Sequence, residues 1–122
     1  MAKKILVVDD EAHILNILKF NLTKAGYAVV SATNGEEALE RIRADRPDLV
    51  LCDVMMPKKT GFEVCAEVKT DEALKAIPFL LLTAKGQKAD EDKGMEIGAD
   101  AYLTKPFSPR IVLQRIKEIL GE

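Results

Sequence analysis

The stretch Leu49-Val50-Leu51-Cys52-Asp53 decides the reading of the fold. Apolar residues follow one another without alternation and end on a carboxylate. A strand with one face in water alternates apolar and polar side chains. A continuous run therefore implies burial on both faces, as in a parallel sheet covered by helices. Working outward, Ile5-Leu6-Val7-Val8 and Phe79-Leu80-Leu81-Leu82, the latter just after Pro78, have the same character. Ala28 to Ala32 and Ala101-Tyr102-Leu103 are weaker runs, as edge strands should be. Between the runs, Ile14, Leu15, Leu18, Leu22 and Ala25 recur at helical spacing, as do Val112, Ile116, Ile119 and Leu120. The pattern is strand then helix, repeated five times. It predicts an α/β domain in which helices cover both faces of a parallel sheet.

Local signals agree with that division. Asn34 with Glu37, and Thr60 with Glu63, have capping-box spacing. Ser108-Pro109 offers an N-cap followed by a proline where no amide is needed. The fourth helix, from Lys88 to Ile97, is the weak one. Its only apolar residues are Ala89, Met95 and Ile97, and Gly94 sits inside it, so it should be marginally stable. The sequence reaches Glu122 directly after the last helix, and residues 1–122 are expected to form a single domain.

Composition narrows the class. With 48% hydrophobic and 31% charged residues the chain reads as an ordinary globule, neither disordered nor membrane-embedded. Size scaling predicts ~6,500 Å² of folded surface, room for one core. Lys plus Arg number 18 against 20 Asp plus Glu, a net charge of −2, which argues against direct nucleic-acid binding by bulk charge. No apolar stretch approaches the ~20 residues of a spanning helix. The N-terminal apolar run is too short for a signal peptide, so a cytoplasmic location away from membranes is expected. Cys52 and Cys65, with one His in the chain, support neither a zinc site nor a disulfide framework and read as small buried residues.

Polar residues follow the apolar runs in order: Asp9 and Asp10, then Asp53, Thr83, and Lys105 two positions beyond Leu103. In an open parallel sheet the C-terminal strand ends face one side, and ligands bind in the crevice at the topological switch point. Any one of these residues alone is explained as a strand terminator. Three acids, a hydroxyl and a lysine together are not. Carboxylates gathered there repel by about 4 kcal/mol per pair at ~4 Å and an effective dielectric near ~20. Lys105 supplies one positive charge, and a divalent cation would supply the rest. All the donors are oxygen, which selects a hard ion, and Mg²⁺ suits an open site of two or three carboxylates. An ionised Asp beside Mg²⁺, a hydroxyl and a lysine is equipped for phosphoryl transfer to a carboxylate. Asp53 stands alone after a central strand and is the nucleophile candidate, with Asp9 and Asp10 paired for the metal. Thr83 would donate to one phosphoryl oxygen and Lys105 would pair with another.

From Lys4 to Leu120 the sequence resembles a receiver domain of two-component response regulators, of the single-domain, chemotaxis-regulator kind. The residues that carry the resemblance are Asp9-Asp10, Asp53-Val54-Met55-Met56-Pro57 with Gly61, Thr83-Ala84, and Gly98 through Phe107. The resemblance implies a flavodoxin-like, doubly wound five-stranded sheet in order 2-1-3-4-5, a fold for which such a domain is a standing example. It implies that Asp53 accepts phosphate from a phosphohistidine on a sensor histidine kinase or histidine phosphotransfer protein. Asp10, Asp53 and the Met55 backbone carbonyl would bind Mg²⁺ directly, and Asp9 largely through water. Thr83 would be the switch hydroxyl, Lys105 the phosphate-pairing cation, and Tyr102 the aromatic that follows Thr83. Read without the family, Tyr102 is only an amphipathic aromatic on an edge strand. The resemblance also implies a cis Lys105-Pro106 bond, against a base rate of about 5 to 6% for X-Pro bonds. The output surface would lie on the fourth helix, fifth strand and fifth helix, meeting a downstream target or effector domain, with homodimerisation on phosphorylation an allowed state. The chain would be a signalling protein that promotes only its own phosphorylation and dephosphorylation.

Lys58-Lys59-Thr60 departs from the Gly- and Asp-containing sequence common after Pro57, although Thr60 remains a good N-cap. His13 reads as a surface residue of the first helix. A flavin carrier shares the fold class but would need a small or glycine-rich loop where Asp9-Asp10-Glu11 stands. A Mg²⁺-dependent phosphatase would carry its nucleophile after the first strand and need a cap. Met55 and Lys85 flank the pocket mouth, and neither is suited to orienting a hydrolytic water, so slow self-dephosphorylation is expected.

Overall fold

The structure, a computed structural model, describes residues 2–84, 88–105 and 107–122. Strands and helices alternate as β1 (Lys4–Val8), α1 (Ala12–Lys24), β2 (Ala28–Ala32), α2 (Gly35–Asp45), β3 (Leu49–Asp53), α3 (Gly61–Thr70), β4 (Phe79–Ala84), α4 (Lys88–Ile97), β5 (Ala101–Lys105) and α5 (Pro109–Leu120). All pairings are parallel, in the order β2-β1-β3-β4-β5. The two weak runs are indeed the edges. Neither Lys85 nor the Lys105-Pro106 peptide bond lies within the described residues.

The unalternating strands serve two cores. Leu6, Val8, Val50, Cys52, Phe79 and Leu81 face a layer with Ala38, Leu39 and Ile42 of α2 and Phe62, Val64, Cys65 and Val68 of α3. Their neighbours Ile5, Val7, Leu49, Leu51, Leu80 and Leu82 face Leu15, Leu18 and Leu22 of α1 and Val112 and Ile116 of α5. Total exposed surface is 6461 Å², close to what chain length predicts. Both cysteines are buried and free. Only Gly94 of α4 is buried, in keeping with its sparse apolar residues.

The helix starts follow the sequence signals with one difference. Thr60 and Glu63 form a reciprocal capping box. At α2 the Asn34 side chain accepts from the Glu37 amide, but Glu37 Oε1 reaches back one residue further and accepts from the Thr33 amide at 2.7 Å. Ser108 caps α5 ahead of Pro109. One lysine acts as a staple. Lys69 Nζ donates to the Ile77 carbonyl and to Asp100 Oδ2, both at 2.8 Å. Asp100 Oδ2 also accepts from the Phe79 amide at 2.7 Å, so one ion pair ties α3 to the starts of β4 and β5.

Among the described residues, two other than glycine hold positive φ: Arg46 at 44°, ending α2, and Lys58 at 71°, in the β3–α3 loop. The left-handed region crowds a Cβ against the backbone. Arg46→Gly and Lys58→Gly are each expected to stabilise the protein by about 0.5–1 kcal/mol, less the greater unfolded-state freedom of glycine. Urea midpoints at constant m-value would show it, and a lower midpoint for either variant would contradict this account.

Candidate functional site

At the switch point, the first residue past β1 and the last residue of β3 are both buried acids. Asp9 has no exposed surface and Asp53 is 6% exposed, while the neighbouring Asp10 is exposed. One carboxylate oxygen from each of Asp9, Asp10 and Asp53 lies within 4.8 Å of the other two. Lys105, the last residue of the edge strand β5, reaches back across the sheet. Its ammonium donates to Asp9 Oδ2 at 2.9 Å and lies 3.4 Å from Asp53 Oδ2. Asp9 is held from the other side as well, because its Oδ1 accepts from the Glu11 amide at 3.0 Å.

The electrostatics are those of an unbalanced pocket. Burial pushes the Asp53 carboxyl up to about 6, the negative charge of Asp9 adds to this, Lys105 opposes it, and Asp10 raises it further. For Lys105, burial disfavours the ammonium, but the hydrogen bond to Asp9 and the charge of Asp53 outweigh it and raise its pKa. One lysine thus leaves Asp53 strained as an anion.

The donor set fits a hard divalent cation. Every group that converges is an oxygen, and burial keeps the Cys52 and Cys65 thiols protonated and unsuited to binding a soft metal. Three carboxylate oxygens with an open side leave room for the waters that Mg²⁺ retains. Thr83, beside β3 on β4, supplies a second mark of an unfilled polar role. It is 1% exposed, yet its Oγ1 has no hydrogen-bond partner among the described residues.

The structure thus brings Asp9, Asp10, Asp53 and Lys105 together, with Thr83 one residue past Leu82, the register partner of Asp53. The side chains of Tyr102 and Met55 are exposed. Tyr102 is 38% exposed on β5, opposite Leu81. Met55 is 69% exposed and lines a groove with Phe62, Ala66, Lys93 and Ile97. The two loop lysines turn inward on the protein itself, Lys58 to Glu36 and Lys59 to Glu67. His13 is exposed, 3.8 Å from Glu11. Sequence reasoning passed over Glu11 as a mere member of an acidic loop, but its Oε1 stands 3.7 Å from the Lys105 ammonium. The one available signal was that glutamate is a poor residue for a helix N-cap.

Comparison with known proteins agrees with this geometry. Residues 5–117 match the family model described as the response regulator receiver domain. The chain is 50% identical over 120 residues to the alkaline phosphatase synthesis transcriptional regulatory protein PhoP of Bacillus subtilis, covering 98% of this chain and 49% of that protein. The chain spans about half the length of the curated relatives it matches. Among solved structures, the chemotaxis response regulator CheY4 of Vibrio cholerae superposes with a TM-score of 0.91 at 34% identity, covering 98% of this chain and 99% of that one. A CheY-like response regulator receiver domain protein from Methanospirillum hungatei gives 0.92 at 31% identity, covering 99% and 95%. No helix among the described residues is long and apolar enough to cross a membrane. In sequence, fold and strand order, the chain belongs to the receiver domains of two-component response regulators.

Proposed function

We propose that Asp53 is the phosphoacceptor of this receiver domain, taking a phosphoryl group from a phosphohistidine on a sensor histidine kinase or a phosphotransfer protein. The observation that carries this reading is the pairing of a buried Asp53 with the Lys105 ammonium, beside the buried, unpartnered Thr83 hydroxyl. A carboxylate destabilised by burial and by Asp9 is relieved when an Asp53 oxygen forms the O–P bond of an acyl phosphate, the P–N bond to the donor imidazole breaking and the imidazole leaving with its electron pair. Lys105 and Thr83 then face the phosphoryl oxygens, where negative charge has moved. Asp10, Asp53 and the Met55 carbonyl would hold Mg²⁺, with Asp9 acting through water. When bound, the ion supplies the positive charge that brings an anionic donor up to an anionic pocket.

In this reading, phosphorylation draws Thr83 inward and Tyr102 follows, shifting an existing equilibrium of the α4, β5 and α5 surface. The sparse burial of α4 supports it, since a weakly anchored helix is the cheapest to move. The downstream partner is an appended effector domain or a separate protein, and a phosphorylation-dependent homodimer would use the same surface. The chain acts on no separate substrate. The exposed, apolar Met55 gives a hydrolytic water no hydrogen bond, which supports slow loss of phosphate; Met55→Asn should speed that loss.

The test is to incubate the protein with Mg²⁺ and a small acyl phosphate and weigh it intact. A single stable phosphoryl adduct is expected, with amide exchange changing over α4, β5 and α5. Turnover without adduct, or exchange changes confined to α1, would overturn the reading. Metal binding has its own readout. Mg²⁺ at about a hundred times its dissociation constant should stabilise the fold by about 2.7 kcal/mol relative to EDTA. Unfolding midpoints indifferent to Mg²⁺ would refute the metal assignment.

A further inference from the structure

We propose that Glu11 is a positioning residue for Lys105 and that its charge selects against small, highly charged phosphodonors; this rests on the reading of Asp53 as phosphoacceptor. Glu11 occupies the N-cap of α1, a position that favours Ser, Thr, Asp or Asn. Its side chain makes no capping hydrogen bond. A local rule is therefore broken without local compensation, which marks functional positions.

The backbone of Glu11 is fixed on both sides. Its amide donates to Asp9 Oδ1, and its carbonyl accepts from Ile14 at 3.1 Å and Leu15 at 3.2 Å. The side chain leaves this fixed point toward the pocket, with Oε1 3.7 Å from the Lys105 ammonium and Oε2 3.8 Å from His13 Nε2. Lys105 is thus shared between two buried carboxylates below and one half-exposed carboxylate above. Asp9 and Asp53 have little exposure, whereas the Glu11 side chain is half exposed, so of the three carboxylates around the ammonium Glu11 is the one open to solvent.

Two consequences follow from the charge. Glu11 competes with an incoming phosphoryl group for the same ammonium, and it adds a negative charge at the entrance. Both effects penalise a dianionic donor more than a singly charged one. The same charge raises the affinity of the acidic cluster for a divalent cation. Removing it should move the two properties in opposite directions, which a general loss of structure would not do. Glu11 is half exposed, so solvent and salt keep each effect to about ten-fold or less.

The experiment compares wild type, Glu11→Gln and Glu11→Asp at pH 7 and saturating Mg²⁺, with acetyl phosphate and phosphoramidate as donors. In each reaction an Asp53 oxygen forms the new O–P bond. Acetate leaves with the electron pair of the broken P–O bond, or ammonia leaves from the zwitterionic phosphoramidate as the P–N bond breaks. For Glu11→Gln, labelling by the dianionic acetyl phosphate should rise about three- to ten-fold, and labelling by the singly charged phosphoramidate less than about twofold. Calorimetric titration with Mg²⁺ alone should show a dissociation constant raised about two- to five-fold. Glu11→Asp, which restores the charge, should return both readouts toward wild type. An unchanged donor ratio, or an equal change with both donors, overturns the role of Glu11 while leaving Asp53 as acceptor. Failure of the wild type to label with either donor overturns the Asp53 reading, and this proposal with it.

Discussion

Asp53→Asn is expected to abolish phosphoryl labelling by every donor and at the same time to stabilise the metal-free protein. The amide nitrogen and oxygen are poor nucleophiles, and the variant keeps the shape of the residue without its charge. The second effect follows from linkage. The Asp53 carboxyl sits at about 6 in the folded protein against an ordinary 3.8, so the fold holds its proton more tightly than the unfolded chain does. Ionised Asp53 therefore destabilises the fold. The penalty is absent below about pH 4, grows as pH rises through the interval up to about 6, and is complete above it. At neutral pH in EDTA the Asn variant should be more stable by an amount on the order of 2 kcal/mol, and the gap should close by pH 4. Denaturant unfolding across that range measures it. A variant less stable than wild type at pH 7 would mean that the attraction of Lys105 outweighs burial and Asp9.

Much of this molecule is written locally in its sequence, because its strands are buried on both faces. As strands, Leu49 to Cys52 and Phe79 to Leu82 must be covered on both faces, and in a parallel sheet the polar residue ending each run falls on the same side. Asp9, Asp10, Asp53 and Lys105 could be gathered from spacing alone for that reason. What the sequence hides are contacts between positions far apart. Nothing around Lys69 tells that Asp100, thirty-one residues on, will satisfy it at the edge of the sheet. Glu11 and Lys105 meet only because β1 and β5 end on the same side with a long side chain bridging the gap. The positive φ of Lys58 is hidden for another reason. Lysine gives no sign of a left-handed turn, and the position is tolerated because the loop is pinned by the Val54 and Lys59 amides, which donate to the Leu82 and Pro57 carbonyls at 3.0 and 2.9 Å.

Gly61 is the residue whose role needed three dimensions most, and Gly61→Ala should show it. Its backbone is not left-handed, so conformational freedom does not explain it. Space does. A Cβ built on Gly61 would lie 2.3 Å from the Asp53 carbonyl oxygen, 2.9 Å from Val54 Cα and 3.0 Å from the Asp53 carbonyl carbon. These are backbone atoms at the end of a central strand and cannot rotate away. The start of α3 approaches this closely because the Gly61 amide donates to the Val54 carbonyl at 2.8 Å. A methyl group must break that bond or push the loop carrying Met55 away from β3, turning Asp53 with it. The expected cost is about 2–3 kcal/mol of stability from overpacking. A disproportionate loss of Mg²⁺ affinity should accompany it, since the displaced atoms are those that set the direction of the Asp53 carboxylate. Gly26→Ala is the control that separates the two effects. Gly26 has a φ of +101° but nothing within 4 Å of its would-be Cβ. That variant should lose about 1 kcal/mol through strain alone and keep the Mg²⁺ affinity of the wild type. If both alanine variants weakened Mg²⁺ binding in proportion to their loss of stability, Gly61 would be an ordinary packing residue. Loss of affinity in Gly61→Ala alone, under conditions where both remain folded, would make the absent Cβ part of what aims the carboxylate.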